Sequence, residues 1–358
     1  MKITIEPAGP GDPKSLPANL GFGKYFANLM FSQRYSAGEG WHDARIGPYG
    51  PLSLDPATVV LHYAQEIFEG LKAYRRPDGK INLFRPWENA LRFNRSAERM
   101  AMATLDPEDH VQAIVELVSL VQKWVPTQES ASLYIRPTMI GTDVGLGVHA
   151  SQSYLHYIIA GPAGPYFSTG FNPVAVYVCS DQVRAVRGGT GEAKTGGNYA
   201  ASLFVAEKVK ARGYQQVLWL DATERRYVEE VGAMNIAFVY DGTHIATPAL
   251  SGSILAGITR NSVLKLAPDL GYTVSEERLD IQKVLADIRA GRITEAFGLG
   301  TAAVIAPLGT LGTEDETYTI NDDEPGPVAR RLYRTLTDIQ CGRIPDPYGW
   351  TYTIDSKN

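Results

Sequence analysis

Arg187-Gly188-Gly189-Thr190-Gly191-Glu192-Ala193-Lys194-Thr195-Gly196-Gly197-Asn198-Tyr199 sets one lysine among five glycines. So many residues without a Cβ argue against a helix or strand here, and they let the backbone take positive φ or approach a ligand closely. Such a loop can surround a bulky planar group while a single amine projects into it. Glycine content alone also suits a surface loop with a solvated lysine, because most loops of this kind bind nothing. The rest of the chain has to decide.

With 358 residues, 44% hydrophobic and 20% charged, the chain can bury a sizeable core and is expected to form two globular domains. A net charge of -5, with lysines and arginines dispersed, argues against a nucleic-acid partner. No apolar run has the length of a signal peptide or a membrane span, so the expectation is a soluble, cytoplasmic protein with no membrane partner. Cys179 and Cys341 offer neither a disulfide framework nor zinc-ligand spacing, and are expected to be reduced and structural. The six histidines, at 42, 62, 110, 149, 156 and 244, lack His-x-x-x-His spacing, so no metal site is expected.

Outward from the loop, patterning predicts helices over 87–103, opened by Arg85-Pro86, and over 109–124. Strands are expected over 132–140 and 154–160, after which Gly161-Pro162-Ala163-Gly164-Pro165-Tyr166 should end regular structure. Beyond it, strands over 174–178, 217–220, 235–240 and 245–247 alternate with helices over 200–212, 258–266 and 281–289, and Asp241-Gly242 signals a hairpin. The fold class is α/β, of the two-domain α+β type: an N-terminal domain over 1–164, an interdomain linker over 165–175 and a C-terminal domain over 176–358, with the site expected in the crevice between domains.

The lysine loop resembles that of fold-type IV pyridoxal-phosphate (PLP) enzymes, specifically the branched-chain amino acid aminotransferases. The likeness extends to Leu20-Gly21-Phe22-Gly23-Lys24, Leu61-His62-Tyr63, Ile67-Phe68-Glu69-Gly70-Leu71-Lys72-Ala73-Tyr74 and Leu83-Phe84-Arg85-Pro86-Trp87. It continues through Tyr134-Ile135-Arg136-Pro137, Glu230-Val231-Gly232-Ala233-Met234-Asn235, Gly257-Ile258-Thr259-Arg260 and Gly298-Leu299-Gly300-Thr301-Ala302, covering essentially the whole chain in order. The resemblance implies a small N-terminal α/β domain and a larger C-terminal, mixed-sheet, barrel-like domain.

It further implies that Lys194 bonds to the cofactor aldehyde and later moves a proton, which requires an amine that can lose its charge near neutral pH. Period-two alternation through Tyr227-Val228-Glu229-Glu230-Val231 sends the two carboxylates to opposite faces, one of them inward. The family pattern makes Glu230 the partner of the pyridine nitrogen. The start of the helix at Ile258-Thr259 is an anion site for the phosphate. The resemblance adds Arg92 and Thr301 to the phosphate, Tyr199 to the phenolic oxygen and Arg184 near the cofactor. It makes Phe22, Tyr63, Phe68, Tyr134 and Tyr166 the walls of the substrate pocket. Arg136, two residues from Tyr134 on one strand face, is the expected partner of glutamate's distal carboxylate. Ala302, with Thr301, would meet the α-carboxylate, and Val148 would be supplied by the second subunit of a homodimer. The expected reaction is ping-pong transfer of amino groups from leucine, isoleucine and valine to 2-oxoglutarate, giving branched 2-oxo acids and glutamate.

Ala233 stands where many family members carry threonine, which puts substrate preference in doubt. Ala303-Val304-Ile305-Ala306 lacks the Cys-x-x-Cys of some mammalian relatives. Gly298-Leu299-Gly300-Thr301-Ala302-Ala303 mimics a dinucleotide fingerprint, but helix breakers follow it where that fingerprint needs a helix. Relatives that act on D-amino acids or cleave aminodeoxychorismate fit the Tyr134-Ile135-Arg136-Pro137 segment less well. A protein that merely stores PLP would need neither Arg136 nor an aromatic wall.

Overall fold

The computed structural model describes residues 1–6, 15–164 and 170–355. The chain divides into two compact units, one made of 1–166, 193–196 and 338–358, the other of 167–192 and 197–337. The division is therefore not the contiguous one expected: the four residues around Lys194 and the C-terminal stretch belong with unit 1. Residues 165–169 of the anticipated linker lie outside the described residues, and its last two positions already belong to a strand.

Unit 1 contains β1 (Thr4–Ile5), β2 (Leu29–Ser36), β3 (Gly40–Pro48), the short α1 (Val59–Tyr63), β4 (Glu66–Phe68), β5 (Leu71–Arg75), β6 (Ile81–Phe84), α2 (Pro86–Arg99), α3 (Pro107–Leu120), β7 (Ser132–Gly141) and β8 (Ser153–Ala163). Unit 2 runs through β9 (Val174–Cys179), α4 (Gly196–Lys210), β10 (Gln216–Leu220), β11 (Val228–Val231), β12 (Asn235–Tyr240), β13 (His244–Pro248), α5 (Ile258–Asp269), β14 (Thr273–Glu277), α6 (Ile281–Arg289), β15 (Ile293–Gly300), β16 (Val304–Gly312), β17 (Thr317–Thr319) and most of α7 (Pro327–Gln340). The final strand, β18 (Thr351–Ile354), returns to unit 1 and pairs antiparallel with β6.

The sheet of unit 1 has the order β1-β3-β2-β8-β7-β5-β6-β18, with β4 also on β7. Along β7 the sides alternate: Leu133, Ile135 and Met139 are fully buried, whereas Tyr134 and Arg136 on the other face are only half-buried. α3 lays Ala113, Ile114, Leu117 and Val118 on the apolar face of this sheet. Its entry is fixed by Asp106, whose carboxylate accepts from Glu108 N at 2.8 Å. α2 opens with Pro86 at its first turn and buries Asn89, Ala90, Arg92, Phe93, Ser96 and Ala97, the helical spacing of one inward stripe. Complete burial of Phe93 contributes about 2–3 kcal/mol.

The second sheet, in unit 2, has the order β11-β10-β9-β16-β15-β12-β13-β14, with β17 on β16, and mixes parallel and antiparallel pairs. Ile281, Val284, Leu285 and Ile288 of α6 pack with the sheet's Ile236, Phe238 and Ala296.

Two expectations need correcting. β8 does not stop at Ala160 but pairs with β7 through Ala163, because Pro162 sits opposite Leu133 within the ladder and Gly161 leaves room for the carbonyl of Tyr25. The helix expected from residue 200 begins at Gly196, inside the glycine-rich segment, because a carboxylate satisfies its first backbone N–H. No helix among the described residues is long and apolar enough to cross a membrane.

Candidate active site

In unit 1 the backbone around Lys194 is held on both sides. Its N–H donates to Ser96 Oγ on α2 at 2.9 Å, and its carbonyl accepts from Phe68 N at 3.0 Å. Two residues on, Gly196 N donates to the carboxylate of Glu66, which occupies the space a Cβ at 196 would need. The loop is thus strapped to β4 and α2, and the amine Nζ stands 4.7 Å from the centre of the Phe68 ring.

The same ring carries Arg136, whose guanidinium carbon is 4.6 Å from its centre. Arg136 also lies 5.3 Å from the Tyr134 ring and donates to the Tyr134 hydroxyl at 3.1 Å. Phe22, between Gly21 (φ 56°) and Gly23 (φ 67°), meets Tyr134 edge to face at 4.8 Å. Unit 1 therefore brings together Lys194, Phe68, Arg136, Tyr134 and Phe22. Tyr63 donates to Leu146 O in the loop that carries Val148, a side chain 83% exposed. Tyr166 lies outside the described residues.

Arg92 is buried, not a surface helix arginine, and its guanidinium grips Glu69 twice, Nε to Oε1 at 2.7 Å and Nη2 to Oε2 at 2.9 Å. Glu69 is itself fully buried and accepts from Gly70 N at 3.1 Å. A bidentate pair of this kind fixes a guanidinium's plane as well as its charge.

In unit 2, Glu230 on β11 is buried and receives Leu255 N at 2.9 Å, while Arg184 Nε lies 3.1 Å from its other oxygen. Both contacts fix the position of the carboxylate. Arg184 donates in addition to the carbonyls of Gly191 and Ser253, so it ties Glu230 to the segment leading to the lysine. Glu229 does face the opposite way, yet it too is buried, accepting from Ser253 Oγ and from Ser251 Oγ. Alternation was right about the direction, but the second face is covered rather than solvated.

α5 begins with Gly257 at its cap position and no side-chain cap, and its first residues Ile258 and Thr259 are buried. That is the positive end of a helix dipole, suited to an anion. Thr301 and Ala302 lie in the turn between β15 and β16, which closes with Val304 at φ 64°, a conformation costly for a β-branched residue. Tyr199 is half-buried in the first turn of α4.

Each unit taken by itself carries chemistry that suits PLP. Lys194 offers an amine, Glu230 a buried carboxylate with fixed partners, and α5 an uncapped N-terminus beside Thr259. Sequence reasoning did not single out Glu66, Ser96 or Tyr157. Glu66 shares a face of β4 with Phe68 two residues on, so strand alternation could have found it. Burial raises its carboxyl above the ordinary range, with Gly196 N, Arg136 and Lys194 opposing that rise. Burial also raises the Tyr157 hydroxyl, with Glu66 adding to the rise and Arg136 opposing it.

Residues 66–309 match the family model described as class IV amino-transferase. Branched-chain-amino-acid transaminase 1 of Bacillus subtilis is 51% identical over 339 residues, 94% of this chain and 95% of that protein. A probable branched-chain-amino-acid aminotransferase of Streptomyces coelicolor is 49% identical over 99% of this chain and 98% of its own length. Among solved structures, the Escherichia coli branched-chain amino acid aminotransferase superposes with a TM-score of 0.77 at 27% identity, covering 92% of this chain and all of that one.

Proposed function

The chain belongs to the class IV aminotransferases, and on that premise we propose that it moves amino groups from leucine, isoleucine and valine to 2-oxoglutarate, with PLP held at Lys194. The observation that carries this reading is the sharing of the Phe68 ring by the Lys194 amine and the Arg136 guanidinium, with Tyr134 and Phe22 completing an aromatic wall. One pocket that takes both a branched apolar side chain and a γ-carboxylate needs such walls plus one cation.

When bound, PLP supplies an aldehyde that captures the substrate amine and a ring that accepts the electron pair left when Cα loses its proton. Lys194 would take that proton at Nζ and carry it from Cα to the cofactor carbon on the far side of the substrate nitrogen, which requires its amine to be neutral when it takes the proton. Glu230, positioned by Arg184 and Leu255 N, would hold the proton of the ring nitrogen. Ile258 and Thr259 at the start of α5, with Thr301 and Arg92, hold the phosphate, and Tyr199 the phenolic oxygen. The turn at Thr301-Ala302 orients the α-carboxylate. Arg136 takes the distal carboxylate of glutamate, and Phe22, Tyr63, Phe68, Tyr134 and Tyr166 exclude water around an apolar side chain. Donor and acceptor occupy this pocket in turn. We place the enzyme in the cytoplasm as a homodimer at least, in which Val148 meets the second copy.

The test is the near-ultraviolet and visible spectrum of the purified protein, recorded before and after leucine is added without an acceptor. Conversion of the aldehyde form to the amine form, reversed by 2-oxoglutarate and absent in Lys194→Ala, is the expected result. Bound PLP that responds to none of leucine, isoleucine and valine would overturn the reading.

A further inference from the structure

Arg136 poses an electrostatic problem that the aromatic wall does not solve. Its guanidinium lies on two rings, and its Nε finds no hydrogen-bond partner among the described residues. With a dicarboxylic substrate bound, the substrate neutralises it. With leucine bound, an apolar side chain would lie against a cation in a pocket from which water has been driven, which is costly unless a fixed counter-charge stands near.

Glu66 stands near. It projects from β4, whose register on β7 puts Glu66 opposite Ile140 and Phe68 opposite Thr138, so that Glu66 and Phe68 share one side of the strand. Its Oε1 accepts from Gly196 N, which anchors the carboxylate without neutralising it. Charged and titratable groups within its electrostatic reach are Arg136 from β7, Lys194 from the glycine-rich loop and Tyr157 from β8. Arg92 of α2 pairs with Glu69 through two hydrogen bonds.

We infer that Glu66 is a specificity-determining positioning residue: it is the resident counter-charge of Arg136 while an uncharged side chain fills the pocket, and it takes up a proton when a dicarboxylic substrate brings its own carboxylate. The inference rests on the reading of Arg136 as the partner of the distal carboxylate. Burial already raises the Glu66 carboxyl, and a second negative charge beside it would raise it further, which favours proton uptake. Proton balance is simple: one proton from solvent joins the Glu66 carboxyl as the dicarboxylate docks, and leaves when that ligand leaves. One residue thereby serves two ends, holding the lysine loop by its hydrogen bond and setting pocket charge by its ionisation.

The test separates these ends. Glu66→Gln keeps an oxygen for Gly196 N and removes the charge. It should lower KM for glutamate and raise KM for leucine, changing their ratio by about tenfold with little change in kcat for either. A second readout is independent of turnover. Calorimetric titration of the PLP-loaded protein with glutarate, which has no amine to react, in two buffers of different ionisation enthalpy should show proton uptake in the parent and none in Glu66→Gln. 4-Methylvalerate should show no uptake in either. If Glu66→Gln leaves the KM ratio and the proton uptake as in the parent, or slows both substrates equally, Glu66 only anchors the loop and the inference falls. Arg136→Gln is the control for the premise. Loss of glutamate and glutarate affinity there, with leucine retained, supports Arg136 as the partner of the distal carboxylate. An unchanged affinity for both would overturn that premise and this inference together.

Discussion

Glu230 shows how a single side chain can be read from sequence and still be only half understood. Its place in the Glu230-Val231-Gly232 run was legible, but its partners Arg184 and Leu255 N come from 46 and 25 positions away. Removing one member of a buried ion pair leaves the other charge uncompensated. Glu230→Gln should therefore destabilise the protein by about 3 kcal/mol, readable from urea unfolding without added cofactor, besides slowing transamination. An unfolding midpoint equal to that of the parent would show that the pair matters to chemistry alone. Lys194→Ala should lower kcat by roughly a thousandfold or more, since it removes the group that moves the proton, while leaving the unfolding midpoint nearly unchanged. Glu69 and Ser96 were not legible as site residues, because a buried carboxylate and a buried hydroxyl acquire roles only from what the fold sets beside them.

At the level of elements, strongly patterned segments were readable to the residue. β12 over Asn235–Tyr240 and α6 over Ile281–Arg289 begin and end where alternation and helical spacing place them. The Asp241-Gly242 hairpin forms with φ of 48° and 69°, as a tight turn between antiparallel strands requires. Segments governed by partners rather than by pattern were misread. β8 runs on through Gly161-Pro162 because β7 is there to pair with it, and α4 starts early because Glu66 caps it. This reverses an ordinary expectation at Gly196. Alanine is the better helix former by up to about 1 kcal/mol, yet at 196 its Cβ would collide with the Glu66 carboxylate. Gly196→Ala should therefore lower the melting temperature, whereas Gly197→Ala, where nothing lies within 4 Å of the added carbon, should not.

For the molecule as a whole, acid sensitivity follows from two buried imidazoles. His110 and His156 stack at 5.1 Å, and burial lowers the His110 imidazole from 6.5 to about 4 and holds that of His156 well below its ordinary value. A folded state that keeps these rings neutral competes with an unfolded chain that protonates them. The contribution to stability is therefore complete above pH 6.5 and is lost as pH falls toward 4, by about 3 kcal/mol for His110 alone. His110→Leu should flatten that slope in denaturant titrations between pH 7.5 and 4.5. The return of 193–196 and of the C-terminal stretch to unit 1 was not legible, since pairing between distant segments leaves no local pattern. That return has a bearing on birth as well as on form. Because β18 closes the sheet against β6, the sheet of unit 1 keeps a bare edge at β6 until Thr351–Ile354 have been made, long after β6 itself. A chain released before that strand is made would still expose a ribbon that recruits other nascent chains.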